Sequence, residues 1–139
     1  MIRAYTAKDA LPTFELYNRS VREVARREPG LELGEWGARL AALAPVVCVV
    51  DDTLAGFSDV RADGYISLLI VDPAFTRRGV ASALLRSHLA TVSGDLFTDA
   101  SVTERGFFER RGFVVVGHEE SRYRMVLQRG GSAAREGSA

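Results

Sequence analysis

The sequence predicts an α+β fold, a mixed and mostly antiparallel twisted sheet flanked by helices. Short apolar runs rich in branched residues, which are typical of strands, alternate with segments whose apolar residues recur every three or four positions, which is typical of helices. Clusters of glycine, proline and aspartate separate these segments. The 139 residues are enough for one domain with a single sizeable core.

The first half of the chain is predicted to hold a strand, two helices and a hairpin. An opening strand covers residues 2–5, and Asp9 is expected to cap the helix that follows. This helix should end before Pro29, and its predicted buried positions are Leu11, Phe14, Tyr17, Val21 and Val24. The predicted buried positions of the second helix are Leu33, Trp36, Leu40 and Leu43. Two strands, over residues 45–50 and 54–60, should then pair through an aspartate turn.

The second half is predicted to alternate strands and helices before a closing pair of strands. The predicted elements are a strand at 65–71, a helix at 80–92, a strand at 96–99, a helix at 103–111 and strands at 113–118 and 123–127. Residues 130–139 are small and polar, so we expect a disordered tail after a domain of residues 1–129.

The composition excludes several classes of protein. Eighteen basic and eighteen acidic side chains cancel, so no net field favours nucleic acid or an anionic membrane. No apolar run approaches the roughly 20 residues of a membrane span, and no signal-peptide pattern is visible at the N-terminus, which predicts a cytoplasmic protein. Cys48 lies in an apolar run and is expected to be buried. The two histidines and the cysteine lack metal-ligand spacing, which predicts that no metal is bound.

The loop before the third predicted helix carries the clearest functional signal. The first amides of a helix have no intrahelical partner, and the positive end of the helix dipole lies there. Arg77 and Arg78 place two guanidinium groups at this position, and Gly79 lacks the Cβ that would keep a phosphate from the backbone. The pattern predicts a phosphate-binding loop, and the alternative is a surface turn with solvated arginines.

Two motifs resemble those of the GCN5-related N-acetyltransferases (GNAT family). Residues 76–81, Thr-Arg-Arg-Gly-Val-Ala, resemble motif A, Gln/Arg-x-x-Gly-x-Gly/Ala after a strand ending in Val-x-Pro, and Thr76 departs from that pattern. Residues 107–113, Phe-Phe-Glu-Arg-Arg-Gly-Phe, resemble motif B, Leu/Phe-Tyr-Glu-Lys-x-Gly-Phe. The likeness extends from Ile2 to Met125 and is greatest to a YafP-like subgroup, in which a Ser-x-x-x-x-x-Phe-Phe-Glu segment matches residues 101–109.

The resemblance implies acetyl-CoA as cosubstrate and the amine of a small molecule as acceptor. The pyrophosphate would lie on the side chains or amides of Arg77, Arg78, Gly79, Val80, Ala81 and Ser82. Backbone groups of Leu69, Ile70 and Val71 would bind the pantetheine arm as a neighbouring strand would, with the thioester between this strand and residues 96–99. Ser101 and Phe108 would also lie along the cofactor, although a helix N-cap role for Ser101 has the stronger physical support.

The proton carriers are less clear than the cofactor loop. Family members often keep a carboxylate base at the positions of Tyr65 or Ser67. The nearest carboxylates along the chain here are Asp59 and Asp63, and the alternatives are a water held by Ser67 or the amine that is already neutral. Asp59 is otherwise expected to be a solvated residue at a turn or strand end. The family's tyrosine acid aligns with Phe108, which cannot donate a proton, so Tyr123 is the substitute candidate. A half-buried strand aromatic is the alternative for Tyr123.

Two other functions are alternatives to an acetyltransferase of small amines. The missing strand carboxylate and Phe108 leave an acyl-CoA-binding sensor without turnover as the main alternative, whereas a toxin that acetylates aminoacyl-tRNA would need a basic face. A homodimer is also left open. His88 is expected to be a satisfied, partly buried imidazole and His118 an exposed one.

Overall fold

A computed structural model describes residues 1–22 and 31–129 of the chain. The helices in this part are α1 (Ala10–Arg22), α2 (Leu33–Leu43), α3 (Val80–Thr91) and α4 (Val102–Glu109). The strands are β1 (Ile2–Ala4), β2 (Val46–Val50), β3 (Thr53–Ser58), β4 (Tyr65–Ile66), β5 (Leu69–Val71), β6 (Leu96–Ala100), β7 (Val114–Glu119) and β8 (Arg122–Leu127). The predicted α+β class is therefore confirmed, and so is the order of its elements except over residues 65–71.

The chain divides into two compact units. The first contains Met1–Val60 with Leu68–His88, and the second contains Arg61–Ser67 with the residues from Leu89 onward. No helix of the described residues is long and apolar enough to cross a membrane. Three predictions lie outside what the structure describes. They are the tail at 130–139, the burial of Val21 and Val24, and the end of the first helix before Pro29.

The first unit is a four-stranded antiparallel sheet in the order β1-β2-β3-β5. One cluster of its core centres on Trp36, which packs edge-on against Phe57 at 6.0 Å and close to Tyr17 at 4.5 Å between ring centroids. A second cluster contains Cys48, Ala55, Val80 and Leu84. The predicted burial of Cys48 is confirmed.

The start of α1 differs from the prediction. A short 3₁₀ turn, Ala7–Asp9, precedes the helix, and the buried Asp9 pairs with Arg3 at 2.8 Å instead of capping α1. The guanidinium of Arg3 holds the pKa of this carboxyl below its usual range. The predicted burial of Leu11 is also wrong, because this residue is 50% exposed and Thr13 and Leu16 face inward instead. The predicted burial of Leu33 in α2 is wrong as well, because it is 40% exposed at the first position of that helix.

The second unit is a four-stranded sheet in the order β4-β6-β8-β7. The short β4 runs parallel to β6, and the other pairs are antiparallel. Phe108 of α4 and Phe113 pack at 5.0 Å between ring centroids, and Met125 of β8 is fully buried. Gly112, beyond the end of α4, has φ of +96°, the left-handed conformation in which glycine commonly ends a helix.

The predicted strand at 65–71 is two strands in different sheets. Tyr65 and Ile66 pair with β6, whereas Leu69–Val71 pair with β3. The amide of Leu68, between them, donates to Oδ1 of Asp59 at 2.8 Å rather than to a strand. The carboxylate of Asp59 thus binds the backbone amide at the point where the chain passes from one sheet to the other.

Candidate active site

The loop from β5 to α3 is held by its own side chains. Asp72 accepts a hydrogen bond from the amide of Ala74 at 2.9 Å and pairs with Arg19 at 3.1 Å. The hydroxyl of Thr76 donates to the carbonyl of Pro73 at 2.6 Å. Thr76, which departs from motif A, therefore supports the turn that leads into the arginines.

The Arg77–Gly79 segment contains two residues in the left-handed backbone region. Arg77 has φ of +67° and Gly79 φ of +78°, so the chain turns back on itself just before α3. The amide of Arg78 donates to the carbonyl of Phe75 at 3.3 Å, and the positive end of the α3 dipole lies just beyond the turn. Both arginines are exposed, and Arg78 lies 3.8 Å from the carboxylate of Asp51. A Cβ added at Gly79 would meet no atom within 4 Å, so the space over the loop is open.

Strand β5 is an edge strand of the first sheet, with β3 on its paired side. The amide of Asp72 donates to the carbonyl of Ala55, and the amide of Asp59 donates to the carbonyl of Leu68. These two bonds fix which residues of β5 are hydrogen-bonded to β3, because such residues alternate along an antiparallel pair. Ile70 falls at a hydrogen-bonded position opposite Phe57, so its backbone groups point into the sheet. Leu69 and Val71 direct theirs to the open edge. Two of the three predicted pantetheine-binding residues are therefore placed to bind an extended ligand.

Three buried polar residues, Ser58, Asp59 and His88, form a network at Leu68, the residue that precedes β5. Ser58 donates its hydroxyl proton to the carbonyl of Leu68 at 2.5 Å, so it must accept the contact from Nε2 of His88 at 2.8 Å. Asp59 is 1% exposed, so the expected solvated carboxylate is wrong. The satisfied imidazole predicted for His88 is confirmed, although its burial is nearly complete. Burial lowers the pKa of His88, and the nearby charge of Asp59 opposes this shift.

A polar cavity of about 910 Å³ lies in the second unit. It is lined by Tyr65, Ser67, Asp99, Gly117, His118, Glu119, Glu120, Arg122 and Arg124. Oδ1 of Asp99 accepts from Nε of Arg124 at 2.7 Å, and Oδ2 accepts from the hydroxyl of Tyr65 at 3.0 Å. The bond from Arg124 lowers the pKa of Asp99, while burial, and then the bond to Asp99, raise the pKa of Tyr65.

The comparisons with known proteins give the family. Residues 35–128 match the model of the acetyltransferase (GNAT) domain. The chain belongs to the GNAT family. It is 42% identical to the uncharacterized N-acetyltransferase YafP of Escherichia coli (strain K12) over 86 residues, which are 62% of the chain and 56% of YafP. It thus spans about half the length of this curated relative.

Solved GNAT structures share the fold. A GCN5-related N-acetyltransferase from Rhodopseudomonas palustris aligns with a TM-score of 0.80 at 20% identity, over 93% of this chain and 95% of that one. The PaiA N-acetyltransferase of Thermoplasma acidophilum, crystallised in complex with coenzyme A, aligns with a TM-score of 0.66 at 14% identity, over 93% and 99%.

The remaining residues singled out in the sequence lie on α4 or near it. Ser101 is the N-cap of α4, as predicted, because its hydroxyl accepts from the amide of Glu104 at 3.3 Å. Phe108 is buried between aromatic rings. Tyr123 stacks on His118 at 4.3 Å, with the guanidinium of Arg105 4.7 Å from its ring centroid. His118 is exposed, as predicted.

The structure thus separates the predicted catalytic residues into three places. Ser67 lines the polar cavity, Asp59 is buried in the first unit, and Tyr123 lies beside α4. On β8, Tyr123 alternates with Arg124 and so projects from the opposite face of the sheet. Asp99 was not predicted as a site residue from the sequence. The signal for it was the alternation of β6. Leu96, Thr98 and Ala100 are buried on one face of the strand, and the charged Asp99 lies on the other face.

Proposed function

We propose that the chain is an N-acetyltransferase that moves the acetyl group of acetyl-CoA to the amine of a small molecule by direct attack. The observation that carries the proposal is the Arg77–Gly79 turn at the start of α3, within a GNAT domain. The name of YafP and the coenzyme A bound to PaiA give independent support.

The described residues fit acetyl-CoA at the loop. Arg77 and Arg78 would pair with the pyrophosphate, because guanidinium groups bind phosphate oxygens through charge-assisted hydrogen bonds. The amides of Gly79, Val80, Ala81 and Ser82 would complete this contact. The open space over Gly79 admits a bulky anion. When bound, acetyl-CoA would supply the activated acetyl carbonyl.

The rest of the cofactor would follow β5 and α4. The outward backbone groups of Leu69 and Val71 would bind the pantetheine amides, and Ile70 would support them from within the ladder. Ser101 and Phe108 are proposed to shape the cofactor channel beside α4, with Ser101 also fixing the start of that helix.

Three residues are proposed to handle protons. Tyr123 would protonate the departing thiolate, while Ser67 would hold a water that receives the proton of the amine, with Asp59 as the alternative acceptor. Within the described residues, no group of three His, Cys, Asp or Glu side chains could hold a metal ion. A metal-independent reaction, a cytoplasmic location, a homodimer and the domain limits of residues 1–129 stay predictions.

The decisive experiment measures release of free CoA thiol from acetyl-CoA with a panel of small amines, together with calorimetry of acetyl-CoA binding. We expect binding and steady turnover with at least one amine. Binding without turnover by any amine would favour the acyl-CoA sensor, since the missing strand carboxylate and Phe108 already depart from the family pattern. No binding would overturn both functions.

A further inference from the structure

The polar cavity of the second unit contains a connected set of side chains that the proposed function leaves unused. Asp99 is bound through both carboxylate oxygens to Arg124, at 2.7 and 3.1 Å, and through Oδ2 to the hydroxyl of Tyr65. The side chain of Asp99 keeps 32% of its surface exposed. The set is therefore rigidly held and still accessible from the cavity.

The direction of the Tyr65 hydrogen bond decides what the phenol can do for a ligand. Asp99 is an acceptor only when ionised, so the single phenolic proton points to its carboxylate. The oxygen of Tyr65 can then only accept a hydrogen bond from another group. A ligand N–H that enters the cavity would find an oxygen already polarised by a carboxylate.

We infer that Tyr65 and Asp99 take the proton from the acceptor amine, with Tyr65 as the catalytic residue and Asp99 as the positioning residue behind it. This route would replace the water on Ser67 and the carboxylate of Asp59 as the acceptor of that proton. The inference rests on the proposed function, because it names the proton route for that reaction. Tyr65 lies on β4, at one of the positions where the family resemblance leads one to expect a carboxylate base. Here the carboxylate comes from β6, one hydrogen bond away.

The protons balance for an acceptor that arrives as an ammonium ion. The oxygen of Tyr65 takes one proton from nitrogen as the phenolic proton moves to Asp99, which releases it to water. The nitrogen lone pair then forms a bond to the acetyl carbon, while the carbon–sulfur bond breaks and sulfur leaves with its electron pair. The second proton of nitrogen ends on that sulfur. The products are the acetamide, CoA thiol and one proton in solution.

The charges around Asp99 suit a transient relay. Arg124 and Arg122 face it from β8 and Tyr65 from β4, while His118, Glu119 and Glu120 line the same cavity. The pKa of Asp99 is lowered chiefly by the bond from Arg124, and further by the bond from Tyr65 and the charge of Arg122, so the carboxylate is ionised before each turnover. A proton that it receives is therefore held briefly. Burial raises the pKa of Tyr65, which keeps the phenol protonated and able to pass a proton on.

The test compares Tyr65→Phe and Asp99→Asn with the wild-type chain. The probes are acetyl-CoA with benzylamine, tyramine, putrescine and glycinamide, over a range of pH. Tyr65→Phe keeps the ring beside Phe97, and Asp99→Asn keeps an oxygen that can accept from Tyr65. We expect each variant to lose about 10²-fold in kcat, the usual contribution of a placed proton carrier, with an unchanged Kd for acetyl-CoA. The loss should shrink at high pH, where the amine is already neutral.

Matched controls exclude an effect of the substitution itself. Tyr5→Phe removes a phenolic hydroxyl from the first unit, and Asp95→Asn removes a carboxylate that accepts from the amide of Arg129 in the second. Both should retain wild-type kcat. A third variant, Arg124→Gln, should move the acid limb of the kcat/KM profile to higher pH, because the guanidinium lowers the pKa of Asp99. A merely structural contact would not move that limb.

The outcomes separate this inference from the function on which it rests. Wild-type turnover together with less than a threefold loss in both Tyr65→Phe and Asp99→Asn would overturn the relay and leave the acetyltransferase standing. An acid limb that Arg124→Gln does not move would overturn the part assigned to Asp99. A wild-type chain that binds acetyl-CoA and acetylates none of the amines would overturn the proposed function and the relay together.

Discussion

Nε2 of His88 lies 2.8 Å from the hydroxyl oxygen of Ser58, and both side chains are buried in the first unit. Since Ser58 gives its own proton to the carbonyl of Leu68, the imidazole must donate from Nε2. This contact links α3, which follows the Arg77–Gly79 turn, to Leu68, where the chain passes from one sheet to the other.

The first prediction concerns the pH dependence of stability. Burial lowers the pKa of His88 in the folded chain, so the unfolded chain binds more protons once the pH falls below about 6.5. The contribution of His88 is therefore fully present above that pH and is lost as the pH falls through the folded-state pKa. We expect urea unfolding to show a free energy that declines from about pH 7 to pH 5. His88→Gln, which keeps a donor near Ser58, should flatten the decline. The exposed His118→Gln is the control, and an equal flattening there would contradict the assignment.

The second prediction tests a buried hydrogen bond of the first core. The indole N–H of Trp36 donates to the hydroxyl of Thr13 at 2.9 Å, and both side chains have no exposed surface. Thr13→Val keeps the shape but leaves the indole unpaired, so the free energy of unfolding should fall by about 1–3 kcal/mol. Thr53→Val, on the exposed hairpin, should change it far less. Equal effects of the two substitutions in denaturant titrations would show that the Trp36 bond adds nothing.

The helices and strands of this fold could be predicted from local sequence patterns, whereas the pairing of the strands could not. The spacing of Trp36 and Leu40 predicted α2, and the branched run at 46–50 predicted β2, because each element buries one face. Residues 65–71 are mostly apolar and branched, which predicts one strand. The break between β4 and β5 depends on Asp59 and Ser58, which bind Leu68 but lie about ten residues before it in the sequence. Asp99 was missed for the same reason. Its importance comes from Tyr65 and Arg124, which meet it only through strand pairing.

The third prediction tests the phosphate loop with two substitutions at one position. Gly79 has φ of +78°, so Gly79→Ala introduces backbone strain without charge, while Gly79→Glu adds a carboxylate where the pyrophosphate would bind. Calorimetry should show that Gly79→Ala weakens acetyl-CoA binding modestly and that Gly79→Glu abolishes it. Gly34→Glu, at an open position on α2, should bind as the wild type does. Wild-type affinity in Gly79→Glu would move the cofactor site elsewhere.

The fourth prediction concerns the alternative base, Asp59. Its carboxylate is sealed from solvent and accepts from the amide of Leu68 at 2.8 Å, an interaction that the amide oxygen of Asn can reproduce. We expect Asp59→Asn to change turnover by less than about threefold at every pH, well below the 10²-fold that a proton carrier typically contributes. A rate that falls at low pH and recovers at high pH would instead assign the amine proton to Asp59.

The last prediction tests Tyr123 as the acid for the leaving thiolate. Its ring is stacked on His118 at 4.3 Å between centroids, and Phe would keep this packing. Tyr123→Phe should therefore leave the melting temperature and the Kd for acetyl-CoA unchanged and lower kcat by about 10²-fold, if proton donation limits the reaction. Unlike the losses in Tyr65→Phe and Asp99→Asn, this loss should not be relieved by raising the pH, because a higher pH supplies neutral amine but no proton for sulfur. A loss below about threefold would mean that the thiolate departs unaided, which its stability as a leaving group permits. A loss that high pH does relieve would place Tyr123 on the amine side of the reaction.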